Sequence, residues 1–396
     1  MRLKKKSVIL IFFTITMFSG FFMTNSLAKP NFVELCETSN QSYIDVKVPD
    51  YYSLGVLKAQ YCGQQIMTFD YSLKGLIQTL GIPLDYCYYL ANLYNEHIPE
   101  DYKNEIQGIA DTLPNLSYYD IVLQICLFDG FYGQIIPSQT GLNILPIHIG
   151  GCTVVASKNA DGTITIGQNM DLSYYFKDTI YFMKYKIKGK QPVFAMYMGA
   201  CHLVGTTKKV SAVLNLIETV VHGEISMPTS IKRRLSLETS KNAFEYQETM
   251  INNGFASSWN WLVGDKYNNL IACESIPAVY NEQVLSYGEA IVKSNTYKTA
   301  EYVPFLLNPS YSLERQIKAE ELTSNAMNDN ILTLDELLGK ILSFRDGTDA
   351  SITRMPGDNP SDPIITSTVA FMGIKGKDGR FGIGNPLDNT WGVIPL

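Results

Sequence analysis

The sequence predicts an α+β protein built in layers, and two observations carry that prediction. The first is order: helical patterning dominates the first third, strand patterning follows, and helices and strands then each return once. Such segregated runs point to an α+β or layered sandwich and away from a doubly wound parallel sheet, in which strands and helices alternate one by one. The second is composition. Hydrophobic residues make up 46% and charged residues 18% of the 396 positions, enough for a sizeable core, and 25 tyrosines with 18 phenylalanines favour strands over a helical bundle.

Taken in order, the chain starts with a positive run at Arg2 and Lys4 to Lys6, an apolar stretch from Ser7 to Met23, and Ser26-Leu27-Ala28 as a small-x-small cleavage site. This pattern predicts a signal peptide over 1–28 and an exported protein, secreted, periplasmic or in a lysosome-like lumen, with no membrane span in the mature form. Its removal leaves 28 Lys and Arg against 38 Asp and Glu, moving the formal charge from −6 to −10. So acidic a chain has no electrostatic case for binding nucleic acid.

Residues 30–70, including "SYIDVKVPDYYSLGVLKAQYCGQQI", read as short strands from their β-branched and aromatic content. From Ser72 apolar residues recur every three or four positions, through "PLDYCYYLANLYNEHIPEDYKNEIQGIADTL" and "LSYYDIVLQICLFDGF", with Asp120 as a capping candidate in later turns. "GQIIPSQTGLNILPIHIGG" reads as a loop. Strands come next at "CTVVAS", "GTITIGQN", "TIYFMKYKI", "PVFAMYMG" and "SAVLNLIET", the first two joined by the turn "NADG". Helices return at "PTSIKRRLSLETSKNAFEYQETMINNG", strands at "SWNWLVGDKYNNLIACESI". Two helices, the second opened by a Thr cap at "TLDELLGKILSFRDG", precede a strand-like end.

Seven cysteines remain after residue 28, an odd number, so at least one thiol is unpaired within the chain and six are available for disulfides. No CxxC occurs and the four histidines are scattered, so a zinc site has no support, and the thiol chemistry considered next needs neither a metal nor an organic cofactor. Cys152 stands out because two glycines precede it. It is either a buried or paired cysteine or a nucleophile. A nucleophilic thiol needs a base, and no histidine is well placed for one. A cut between Gly151 and Cys152 provides another: the cysteine's own α-amine, whose pKa of about 7.7–8.0 lies near neutrality.

Cys152-Thr153, the Asp161-Gly162 turn and "GQNMD" (Gly167 to Asp171) together resemble the N-terminal-nucleophile (Ntn) cysteine hydrolases of the penicillin acyltransferase, acid ceramidase and choloylglycine hydrolase superfamily, nearest in look to the acyl-CoA:6-aminopenicillanic acid acyltransferase type. "IVKSNTY", "DGTDASITR" and "GNP" near Asn385 are similar to later family segments and fall in the same order.

The resemblance implies a four-layer αββα Ntn-hydrolase sandwich. It also implies a largely helical pro-segment over 29–151 and a hydrolase domain over 152–396, with the two fragments remaining associated after autocleavage at Gly151-Cys152. Cys152 is the implied nucleophile, Asp171 the partner of its amine, Asn295 an oxyanion donor, Arg354 a cation beside the thiol and Asn215 a second family Asn, with Gln168, Asn169 and Thr153 in support. Gln168 stands where bile salt hydrolases carry Arg. The residues also admit plainer readings: Asp171 and Asn295 as turn residues, Arg354 in a surface ion pair, Gln168 as a solvent-facing strand residue. The implied activity is hydrolysis or acyl transfer on a small N-acyl amide or acyl thioester through an acyl-Cys152 intermediate. The alternatives are a phospholipase-B-like hydrolase of the same self-cleaving type and a catalytically inactive secreted binding protein.

Overall fold

The computed structural model describes residues 32–38, 41–138, 150–252, 254–307, 310–354, 364–373, 379–383 and 391–396. The expected signal peptide and the "GNP" near Asn385 lie outside the described residues.

Two strands, β1 (Phe32–Thr38) and β2 (Gln41–Val48), lead into six helical segments: α1 (Tyr51–Thr79), α2 (Leu84–Asn95), α3 (Glu100–Thr112), α4 (Tyr118–Ile125), α5 (Leu127–Gly130) and, after a π-helical turn, α6 (Ile136–Ser138). The expected strands over 51–66 are corrected here. Asp50 caps a 29-residue helix by accepting from Ser53 N–H, and Leu54, Lys58, Cys62, Ile66, Phe69, Leu73 and Ile77 fall on one buried face. Tertiary burial of that stripe overrides the local β propensity of Tyr51, Tyr52, Val56 and Tyr61. Helices α1 and α3 cross closely enough that a Cβ on Gly55 would lie 2.0 Å from Glu105 O, and one on Gly108 2.3 Å from Tyr52 O. Asp120 caps the start of α4 rather than a later turn, in a reciprocal box with Ser117.

The next strands are β3 (Gly150–Lys158), β4 (Ile164–Ser173), β5 (Ile180–Ile187), β6 (Val193–Met198), β7 (Cys201–Thr206) and β8 (Val210–Leu216). After α7 (Thr229–Thr239) and α8 (Ala243–Ile251) come β9 (Trp259–Asp265), β10 (Leu270–Ile276), β11 (Val279–Val284) and β12 (Glu289–Lys293). The chain ends with α9 (Ser310–Ala326), α10 (Leu334–Glu336), β13 (Ile364–Gly373), β14 (Arg380–Ile383) and β15 (Gly392–Val393). Thr333 caps α10 in a box with Glu336, as the sequence predicts, but the helix passes after one turn into a π-helical segment, Leu337–Leu342.

Nine strands form one sheet in the order β1-β2-β5-β6-β7-β8-β9-β10-β11, and six form a second, β12-β3-β4-β13-β14-β15. Pairing is antiparallel except between β2 and β5. The sheets face each other: β3 and β4 touch β8, and β14 touches β2. Phe381 of β14 packs its ring on Phe182 and Phe194 of the larger sheet. Helices α1, α7 and α8 cover the outer side of the large sheet, and α9 with the Leu337–Leu342 segment covers the small one. These are the four layers, helix, sheet, sheet, helix, of the expected sandwich.

A buried charge cluster ties α1 and α3 to α7. Glu105 Oε1 lies 2.6 Å from Lys58 Nζ and its Oε2 2.7 Å from Arg234 Nη2. Arg234 Nε reaches Glu238 Oε1 at 2.8 Å, and Tyr51, Tyr102 and Tyr185 all donate to the Glu238 carboxylate.

The expected disulfides are not formed. All seven cysteines are free thiols, and the six buried ones are spread over α1, α2, the end of α4, β3, β7 and β10. Among the described residues no single helix is long and apolar enough to cross a membrane.

Candidate active site

Strands β3 and β4 form a hairpin through the Asn159–Gly162 turn, which Gly162 closes at φ 82°. Its register sets Cys152 opposite Met170 and Gly151 opposite Asp171. Cys152 is buried and borders a cavity between the sheets, walled by Met170 and Leu172 of β4, Leu203 of β7 and Leu214 and Leu216 of β8. Asp171, Asn295 and Arg233 are its polar walls.

The backbone of Cys152 is held from outside its own hairpin. Its N–H donates to Asn295 Oδ1 at 2.7 Å. Arg315 of α9 donates from Nη2 to the same oxygen at 2.6 Å, to Ser312 Oγ at 3.2 Å and, at 3.4 Å, to the Cys152 carbonyl. With two donors on Oδ1, the Asn295 amide has one sensible orientation, and its Nδ2 donates to Leu216 O at 2.7 Å. Gly151 lies under this arrangement: a Cβ there would sit 3.3 Å from Arg315 Nη1 and 3.5 Å from Asn295 Oδ1.

Two further asparagines fix Asn295. Asn215 and Asn260 face each other across β8 and β9. Asn215 donates to Lys293 O at 2.7 Å, and Asn260 to Ser294 O and Thr296 O at 3.3 and 2.8 Å. The segment carrying Asn295 is thus gripped on both sides.

The other expected residues divide by strand parity. Gln168 is on the Cys152 face, and it is buried, not solvent-facing: Nε2 donates to Leu214 O at 2.7 Å and Oε1 accepts from Leu214 N–H, tying the sheets together. Thr153 and Asn169 pair across the hairpin on the opposite face. There Asn169 donates to Leu342 O and Ile352 O, at 2.6 and 3.1 Å, anchoring the outer helical layer. Arg354 is buried at the end of a loop, with Nη2 3.5 Å from Asp349 O, and does not line the cavity beside Cys152.

Burial, and then the charge of Asp171, push the Cys152 thiol up to about 12; Arg315, Gln168 and Arg233 act the other way with less effect. In the intact chain the thiol therefore carries its proton at neutral pH. No histidine lines the cavity, and among the described residues no group of His, Cys, Asp and Glu is arranged to hold a metal ion.

Arg315, Asn260 and Arg233 escape the sequence reading. Asn260 was findable as the cross-strand partner of Asn215. Arg315 and Arg233 sit in helices whose patterning carries no sign of what they face.

No family model and no curated protein sequence matches this chain. Among solved structures, it is similar to a conjugated bile acid hydrolase from Clostridium perfringens, at 13% identity over 59% of this chain and 89% of that one, with a TM-score of 0.43. A Caenorhabditis elegans ortholog of N-acylethanolamine-hydrolyzing acid amidase matches at 16% identity over 62% of this chain and 100% of its own, TM-score 0.42. Penicillin V acylase from Agrobacterium tumefaciens matches at 12% over 59% and 83%, TM-score 0.43. At these levels the likenesses stand as observations, and the reading of the site rests on its own geometry.

Proposed function

We propose that the chain is a self-cleaving cysteine hydrolase of the Ntn type that acts on the carbon–nitrogen bond of a small N-acyl amide. The observation that carries the reading is the grip of Asn295 on the Cys152 nitrogen, at the end of a strand where Cys152 borders a largely apolar cavity. A merely structural cysteine has no need of a side chain dedicated to its backbone nitrogen.

In self-cleavage the Cys152 sulfur attacks the Gly151 carbonyl carbon, the Gly151–Cys152 C–N bond breaks, and the thiol proton passes to the departing nitrogen. Water then hydrolyses the resulting thioester to a Gly151 carboxylate and a free Cys152 with its own α-amine. In turnover that amine takes the thiol proton and the thiolate attacks the substrate carbonyl. The oxyanion is met by the remaining Asn295 Nδ2 proton and backbone N–H groups. The ammonium protonates the leaving amine, Asp171 steadies it, and water releases the acyl group. Acyl transfer differs only in that an amine replaces this last water, and a thioester substrate would enter by the same attack. Asn215 acts here by holding the segment that bears Asn295, while Asn169 and Thr153 brace the strand pair. Arg354 is assigned to supporting the outer loop, with Arg315 as the cation nearest the cut. The leader over 1–28 would export the chain before this maturation.

N-terminal sequencing of the purified mature protein tests the proposal. Fragments 29–151 and 152–396, the second starting at Cys152, are expected, and Cys152→Ala abolishes both the cut and amide turnover. A chain that stays whole at mildly acidic and neutral pH would overturn it.

A further inference from the structure

We propose that the cavity beside Cys152 receives an acyl group ending in an anion, and that Arg233 of α7 is the residue that binds this end. The inference rests on the hydrolase reading for the chemistry but on separate observations for the ligand. Arg233 is only 2% exposed and lines the same cavity as Cys152. Among the described residues its guanidinium takes part in none of the buried ion pairs that tie Lys58, Glu105, Arg234 and Glu238 together. Nη2 donates to the backbone carbonyl of His202 and, at 3.9 Å, to Cys201 Sγ, and Nε has no hydrogen-bond partner.

The neighbouring carboxylate that acts on Arg233, Asp129, does so through space and without a salt bridge. Asp129, the nearby buried carboxylate, is occupied by Thr229 N–H at 2.7 Å, Thr229 Oγ1 at 2.8 Å and Ser257 Oγ at 2.5 Å. The His202 ring is buried and kept neutral, by burial first and then by Arg233, Arg234 and Lys58. The guanidinium is held 5.6 Å from the Trp259 ring. A buried cation without a salt-bridge partner is costly to a fold, and one in the wall of a cavity is explained if a ligand brings the missing charge.

The rest of the cavity defines what comes before that charge. Phe128, Leu203, Leu214, Leu216 and Trp259 offer only apolar surface. The matching ligand is a short hydrocarbon chain with an amide carbonyl at one end, for Cys152, and a carboxylate at the other, for the Arg233 fork. A half-amide of a dicarboxylic acid has this form. A plain alkyl acyl group of equal length would leave the cation buried and unpaired.

Two chromogenic substrates, glutaryl-p-nitroanilide and pentanoyl-p-nitroanilide, test this on the self-cleaved full-length protein. The expected result is a preference for the glutaryl substrate in kcat/KM that Arg233→Gln reduces by about 10- to 100-fold, the weight of a charge-assisted hydrogen bond. The loss falls mainly on KM, the glutaryl substrate loses far more than the pentanoyl one, and Arg233→Lys restores part of the preference. An equal loss on both substrates, which a purely structural or thiol-directed Arg233 would give, overturns the proposal, as does a wild-type preference for pentanoyl. Binding of glutaramate against pentanamide to Cys152→Ala, followed by tryptophan fluorescence with Trp259→Phe as control, separates this proposal from the hydrolase reading. Tighter glutaramate binding that Arg233→Gln removes, without any amide turnover in the wild type, sustains the site and defeats the hydrolase. Turnover without a preference does the reverse.

Discussion

Asn295 Oδ1 accepts the backbone N–H of Cys152 at 2.7 Å across a sequence separation of 143 residues. The bond joins the end of β12 to the start of β3, and Arg315 shares the same acceptor at 2.6 Å. In the intact chain it fixes the peptide at which the cut is proposed. After such a cut it would face the new α-amine, so on that proposal one contact would serve maturation and turnover.

Replacing Asn295 should therefore slow the proposed cut. Asn295→Ala removes a buried acceptor from two donors, a loss of about 1–3 kcal/mol or roughly 5- to 150-fold in rate. Asn295→Asp still accepts from both donors but cannot donate to Leu216 O, and should cut faster than the alanine variant. The appearance of the 245-residue fragment on a gel over time reads the order. Equal rates in all three chains would detach Asn295 from the cut.

Arg315 bridges Asn295, Ser312 and the Cys152 carbonyl with one planar group. A lysine ammonium carries the charge without the fork. Arg315→Lys should cut more slowly than wild type and Arg315→Met more slowly still. Both lose geometry, but only Met loses the cation that favours the thiolate, so the pH at which iodoacetamide labels Cys152 should move up in Met and little in Lys.

The intact thiol also makes a pH prediction. Its folded pKa, near 12, lies above the ordinary thiol value of about 8.5. The unfolded chain thus loses this proton first as pH rises, so the contribution of the neutral thiol to stability is complete below about 8.5 and is lost as pH climbs towards the folded value. Asp171→Asn removes the second cause of the shift after burial. It should lower the pH for labelling Cys152 in uncut protein while impairing turnover in any cut protein. Labelling at unchanged pH would show that the Asp171 charge does not reach the thiol.

Much of this site is local and for that reason legible in the sequence. Cys152, Gln168 and Asp171 lie on one hairpin, and the Asp161-Gly162 turn with period-two alternation places them. Asn295 follows a recognisable strand end. Arg315 and Arg233 are not legible, since what they face depends on how α9 and α7 pack, which no local pattern records. Helix α1 was hidden for the opposite reason: its aromatic and β-branched residues point to strands, while the burial that makes it helical comes from α3 above all and from β2, β5 and β6. The cysteine count suggests disulfides, but each buried thiol is accommodated within the packed core instead.

The buried cluster between α1, α3 and α7 bears on whether the two fragments stay together after a cut. Tyr51, Lys58, Tyr102 and Glu105 precede residue 151, whereas Tyr185, Arg234 and Glu238 come after it, so the Arg234–Glu105 ion pair and the hydrogen bonds of Tyr51 and Tyr102 to Glu238 cross the proposed fragments. Burial opposes the charge of Glu105, yet Arg234 and Lys58 hold its carboxyl below the ordinary glutamate range. The pairing is therefore in force above that ordinary range and is lost as pH falls through the lowered folded value. Glu105→Gln leaves Lys58 and Arg234 without their shared anion, at a cost of about 3–5 kcal/mol. Cut wild-type protein should elute from a sizing column as one species at neutral pH, with 29–151 and 152–396 together, and Glu105→Gln should lower its thermal midpoint and release the smaller fragment in mild denaturant. Were the variant to hold its fragments as tightly as wild type, the association would have to come from the apolar contacts of α1 and from β1 and β2 within the large sheet, not from the buried charges.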